Sequence, residues 1–272
     1  MALLAIALLA ALLVAWLLTA HWRARYRRER LRRQPFPEEW RHILRRRVRA
    51  FRRLPADLQL QLKGHIHVFL AEKDFVGCDG LEVTDEMRVT IAAFACLLLL
   101  NRETEYFPNL RQILVYPGAF VVDREASDEA GVVQNERHVL SGESWSQSQV
   151  ILSWQDVVEG AAVPDDGFNV VLHEFAHQLD QEAGYANGAP ELGSRGHYAR
   201  WSRVLGEEFE RLRRRTEAGQ QSLLDDYGAT DPAEFFAVVT EVFFEQPQLL
   251  REENQALYQE LSRFFCVDPA AW

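Results

Sequence analysis

The first twenty positions, Met1 to Ala20, carry no charged side chain and are mostly Leu and Ala. An unbroken apolar run of this length predicts a helix about 30 Å long, enough to cross the hydrocarbon core of a bilayer. Beyond it the pattern becomes mixed. Gln34-Pro35-Phe36-Pro37 breaks the chain, and residues 38–73 read as helical with a second break at Leu54-Pro55. Glu86 to Asn101 predicts a helix with an apolar centre, Ile91 to Leu100, too short to span a membrane and therefore part of a core. Short strand-like runs follow at Ile113–Tyr116, Ala119–Asp123, Val132–Val139 and Gln149–Trp154, separated by turn residues such as Pro117-Gly118 and Ser141-Gly142. A helix through 167–180, a Gly-rich stretch over 184–196, and helices near 196–218, 232–246 and 254–265 complete the chain. Strands ahead of the 167–180 helix and helices after it make an α+β pattern.

Charge sharpens this division. The net charge of −10 hides 14 Arg against three Glu in residues 1–53, a balance of +11, so the rest of the chain stands at −21. A basic arm can bind nucleic acid or anionic lipid. The apolar run ahead of Arg23, Arg25, Arg27, Arg28, Arg30, Arg32 and Arg33 favours lipid, and Trp16, Trp22 and Tyr26 sit where an interfacial aromatic belt would lie. No basic residue precedes the apolar run, unlike a cleaved signal peptide. The expectation is a single-pass anchor over 1–20, a basic juxtamembrane linker over 21–37 lying on anionic headgroups, and a domain over 38–272 on the cytoplasmic side. The alternative is a soluble cytoplasmic chain. Direct nucleic-acid contact is not expected. Cys78, Cys96 and Cys266 form no C-x-x-C pair and no disulfide framework, which fits a reducing compartment.

The chemistry concentrates in His173-Glu174-Phe175-Ala176-His177. On a helix, residues i and i+4 share one face a turn apart, so two imidazoles can grip one Zn²⁺ while Glu174 reaches a water beside it. The neighbours Phe168, Val170, Val171, Leu172, Phe175, Ala176 and Leu179 are apolar, and a buried helix carries two His, a Glu and an Asp only where they have partners. Asp180 shares the imidazole face and could accept an imidazole N–H; a cap or surface ion pair explains it equally.

Two His leave a catalytic zinc one protein ligand short. The extended pattern H-E-x-x-H-x-x-G-x-x-H is excluded, since positions 180 and 183 are Asp and Ala. A carboxylate from a later helix is the alternative. In Asp231-Pro232-Ala233-Glu234, Asp231 fits an N-cap and Pro232 the first helical position. Position alone leaves Glu234 equally a ligand or part of a capping box. Glu241, seven residues on, is a second candidate for ligand or for partner of a ligand. His138, His197 and the pair His65 and His67 read as ordinary histidines.

Several segments carry a resemblance: Tyr116 to Asp123, Ser141 to Trp145, Val150 to Trp154, Phe168 to Asp180 and Tyr227 to Phe244. In this order they resemble the Mlc titration factor A family of zinc metallopeptidases, whose catalytic domain is similar to that of anthrax lethal factor. The likeness runs with gaps from Pro35 to Pro269. It implies a zincin-like fold, Glu234 as the third zinc ligand, and Tyr227 facing the substrate as donor to the oxyanion. It also implies aminopeptidase activity and contact with a sugar-responsive transcriptional repressor, in which case zinc could be mainly structural. The expected chemistry is hydrolysis of a peptide or protein substrate, with Glu174 as general base. Val150 to Trp154 is the expected sheet edge for substrate.

Overall fold

The computed structural model describes residues 14, 16, 19–118, 120–127, 133–140, 142–146, 148–163 and 165–272, with backbone alone for 120–127, 133–140, 142–146 and 183. Four helices come first: α1 (Ala20–Arg32), α2 (Glu38–Arg47), α3 (Arg49–Arg53) and α4 (Ala56–Glu72). Pro37 and Pro55 stand directly before α2 and α4, where a missing N–H removes no helical hydrogen bond. The second also makes the break expected at Leu54-Pro55.

The expected membrane placement is overturned among the described residues: no helix is long and apolar enough to cross a membrane. Most of the run expected as an anchor, over 1–20, lies outside the described residues. The basic arm after it is helix α1, which packs on α4. Arg28 reaches Glu72 at 3.0 Å and also pairs with Glu105; Arg27 donates to the Ala71 carbonyl at 3.0 Å. Arg32 donates to the Tyr106 hydroxyl at 2.8 Å. Three of the seven arginines, Arg27, Arg28 and Arg32, thus find a carbonyl, two carboxylates and a hydroxyl in the body of the protein.

Strand β1 (Asp74–Gly77) and helix α5 (Asp85–Leu97) precede β2 (Gln112–Tyr116), β3 (Phe120–Ser127), β4 (Val133–Leu140), β5 (Gly142–Ser146) and β6 (Gln149–Ser153). The main sheet has the order β1-β2-β6-β5, with β1, β2 and β6 parallel and β5 antiparallel to β6. Strands β3 and β4 form a separate antiparallel pair, from Phe120 opposite Leu140 to Ser127 opposite Val133. Period-two alternation sends Ile113, Val115, Val150 and Leu152 into the core, while Leu114, Tyr116 and Ile151 gather on the other face. Val150 to Leu152 is thus central, paired on both sides, and not the edge expected for it. The strand also stops at Ser153, whose hydroxyl accepts the Asp156 N–H at 3.3 Å and starts helix α6 (Trp154–Ala162).

The remaining helices are α7 (Val170–Asp180), α8 (Arg195–Glu217), α9 (Pro232–Glu245), α10 (Pro247–Glu253) and α11 (Gln255–Phe265). Helix α9 is buried from Phe235 to Glu245 and packs along α7. Phe175 of α7 meets Phe69 and Phe107 at ring separations of 5.6 and 4.9 Å, while Phe236 and Phe243 of α9 pack on Phe265. The core therefore grips α7 and α9 from their outer sides and leaves their facing sides for polar chemistry.

Candidate metal centre

Helix α7 begins at Asn169, whose Oδ1 accepts the Leu172 N–H at 3.1 Å. Leu172, Phe175, Ala176 and Leu179 anchor one side of the helix in the core. A helical period then turns His173, Glu174 and His177 towards a cleft of about 1240 Å³. Helix α9 approaches from the other side. Asp231 Oδ1 accepts the N–H groups of Ala233 and Glu234 at 2.8 and 3.0 Å, so the cap is filled by Asp231. The Glu234 carboxylate is left to reach across to α7.

Three atoms converge there. Glu234 Oε2 lies 3.0 Å from His173 Nε2 and 3.3 Å from His177 Nε2, and the two nitrogens are 3.3 Å apart. Donors held 2.0–2.1 Å from a tetrahedral ion lie about 3.3–3.4 Å from one another. The three separations fit such a triangle, so these residues could hold a metal ion.

The electrostatics also call for a cation. Burial opposes a charged imidazole at His173, yet hydrogen bonds to Glu234 and Glu241 hold its pKa well above the ordinary histidine value. Burial would raise Glu234, but hydrogen bonds from His173 and His177 outweigh it and hold the carboxyl far below the usual range. A bound divalent ion would supply the positive charge in place of a proton.

Glu241 lies on the opposite side of the His173 ring, where its Oε1 accepts from Nδ1 at 2.8 Å. Its position is that of an orienting partner and not of a third donor in the triangle. Asp180, the other residue expected to orient an imidazole, is used differently. Its Oδ2 accepts the N–H groups of Asn187 and Gly188 at 2.8 and 2.7 Å, and burial raises its pKa against those bonds. Gly188 in turn offers its carbonyl to Trp201 Nε1 at 2.7 Å, tying α7 to α8. Gly188 has φ +76°, and a Cβ there would stand 2.3 Å from the Pro232 carbonyl oxygen at the start of α9. Gly188→Ala is expected to cost on the order of 3 kcal/mol in stability, from the left-handed backbone and the clash together, read as a lower urea midpoint.

Glu174 is buried and lines the cleft. Tyr227 stands on the 3-10 turn Asp226–Ala229, fixed where Asp225 Oδ1 accepts its N–H at 2.8 Å. Its half-exposed ring lies 6.0 Å from that of His173. Partial burial, then the charges of Glu234, Glu174 and Asp231, push its hydroxyl up to about 12, so it stays protonated and can donate.

The other histidines are elsewhere. His65 is buried, 2.8 Å from the Tyr106 hydroxyl, and burial lowers its pKa to about 3. His67 packs beside Phe36 and Trp40, and His197 faces the Leu192 carbonyl at 3.1 Å. His138 stands in β4 opposite Val122; its side chain lies outside those described. Two buried residues had not been singled out: Asn169 and Glu245, joined at 3.1 Å. A signal for Glu245 exists, since Glu234, Glu241 and Glu245 are spaced i, i+7 and i+11 on one face of a helix that is apolar elsewhere but for Thr240.

Known proteins share this layout of sequence. Residues 22–266 match the family described as glucose-regulated metallo-peptidase M90. An uncharacterized protein of Synechocystis sp. is 42% identical over 237 residues, covering 87% of this chain and 86% of its own length. The Mlc titration factor A proteins of Klebsiella pneumoniae and Serratia proteamaculans are each 38% identical, covering 75% and 74% of this chain and 77% of their own.

Proposed function

We infer the activity from one premise: the chain belongs to the glucose-regulated metallopeptidase family M90. It is proposed to be a zinc-dependent peptidase in which His173, His177 and Glu234 hold the ion. The observation that carries this reading is the donor triangle of 3.0, 3.3 and 3.3 Å in a cleft that Glu174 and Tyr227 also line. Two imidazoles of an H-E-x-x-H helix with one distal carboxylate are a donor set of catalytic zinc. Zinc, when bound, acidifies a water to a pKa of about 7 and polarises the scissile carbonyl.

The protein's own groups do the rest. Glu174 takes the proton of the attacking water and returns it to the leaving amine. The Tyr227 hydroxyl donates to the oxyanion as it forms. The cleft, at about 1240 Å³, exceeds the usual 300–1,000 Å³ of small-ligand pockets and leaves room for an extended peptide. Among the described residues β1 and β5 each have a strand partner on one side only, and β5 is the one that packs against α7, so it takes over the proposed role of substrate-pairing edge from β6. The peptidase unit is proposed to span 38–272.

Chelation tests the whole reading. Purified protein is expected to contain one zinc per chain, to cleave members of a peptide library, and to stop when the metal is removed and resume when zinc is restored. Cleavage that continues in metal-free protein would sink the proposal. Acetylating the N-terminus of a good substrate tests the aminopeptidase form: cleavage should stop if the free amine is read.

A second reading comes from the relatives' name, Mlc titration factor A. By analogy this chain would sequester a transcriptional repressor, with zinc mainly structural. Capture of a repressor by protein with Glu174→Gln, undiminished from wild type, would favour that role, because binding alone does not need the base.

A further inference from the structure

Helix α9 buries two carboxylates that the proposed chemistry leaves unused, Glu241 and Glu245, 5% and 8% exposed. Burying them costs free energy, and an apolar pair of similar size would serve the core at least as well. Their partners point to another purpose. Glu241 divides its oxygens: Oε1 takes His173 Nδ1 at 2.8 Å, and Oε2 takes the backbone N–H of Asn169. Glu245 Oε1 accepts from Asn169 Nδ2 at 3.1 Å, while its Oε2 accepts the Asp165 N–H at 3.2 Å. Asn169 completes the set by capping α7 through Oδ1. One residue, 3% exposed, thus ties the first turn of α7 to two successive turns of α9.

We propose that Asn169 and Glu245 are positioning residues for the metal centre, acting through Glu241 on His173. The inference rests on the zinc reading above and adds what sets its geometry. His173 and His177 come from α7 and Glu234 from α9, so the donor triangle closes only at one spacing of the two helices. The Asn169 clamp fixes that spacing at the end of α7 nearest His173. Its link to Glu241 also fixes the ring angle, because a carboxylate on Nδ1 aims Nε2 to the opposite side.

Replacement of Asn169 separates positioning from capping. Asn169→Ser and Asn169→Asp each keep an oxygen that can cap α7, and each loses the amide donor to Glu245. Both are expected to bind zinc about 10–100-fold more weakly in competition with a chromophoric chelator. Both should also shift the visible absorption bands of Co²⁺ placed in the site. Glu245→Leu is expected to weaken zinc to a similar degree. Affinities and Co²⁺ spectra equal to wild type in all three variants would overturn the inference and leave Asn169 a plain cap. A wild type that binds neither ion would overturn the zinc reading, and this inference with it.

Discussion

Glu174→Gln is expected to lower kcat by about a thousandfold, within the 10²–10⁴ range for a positioned general base, while zinc content stays at one per chain. The substitution keeps size and shape and removes only the ability to take a proton. Glu174 belongs to α7 between the two imidazoles, is 4% exposed, and lines the cleft. Because Asn169 and the apolar side of α7 hold the helix, the variant should fold and keep the donor triangle intact. Metal analysis alongside hydrolysis of one peptide separates the two properties. Undiminished turnover by metal-replete variant would remove Glu174 from the mechanism.

Loss of Glu234 should act at the other step. Glu234→Ala leaves two imidazole nitrogens 3.3 Å apart with no anionic donor beside them. Zinc affinity is expected to fall by more than the 10–100-fold that removing an orienting partner costs. Glu241→Ala should fall within that smaller range, since Glu241 sits on Nδ1 and not in the triangle. Chelator competition on the two variants ranks them directly. Full zinc occupancy in Glu234→Ala would hand the ligand role to Glu241.

Much of this centre was legible in the chain because its chemistry is local or sharply patterned. His173 and His177 share a helix face by spacing alone, and Asp231-Pro232 marks the start of α9. Position left Glu234 between cap and ligand. Only the fold shows Asp231 filling the cap and the Glu234 carboxylate turned to α7. Spacing leaves Asp180 open between an imidazole partner, a cap and a surface ion pair, and does not single out Asn169. Asp180 holds the N–H groups of a loop seven and eight residues on, and Asn169 bridges to a second helix, and local spacing records neither. The runs expected as strands at Ile113–Tyr116, Ala119–Asp123, Val132–Val139 and from Gln149 correspond to β2, β3, β4 and β6, with β3 running on to Ser127. Strand β1 is four residues, exposed or half-buried, formed by its pairing with β2, and α6 is only nine residues long with two buried positions, Val157 and Ala161, to mark it. The largest departure was the basic arm. Charge counts alone could not tell that Arg28 and Arg32 have partners, Glu72, Glu105 and Tyr106, in the same molecule.

The docking of α1 has a mechanical corollary. Arg28 on the Glu72 carboxylate and Arg32 on the Tyr106 hydroxyl secure a helix of 13 residues flat against α4. Together with Arg27 on the Ala71 carbonyl, they hold the second half of α1 to the fold at three points. Torque or tension applied there would be delivered through α1 to α4 and to the Phe69 contact beneath Phe175.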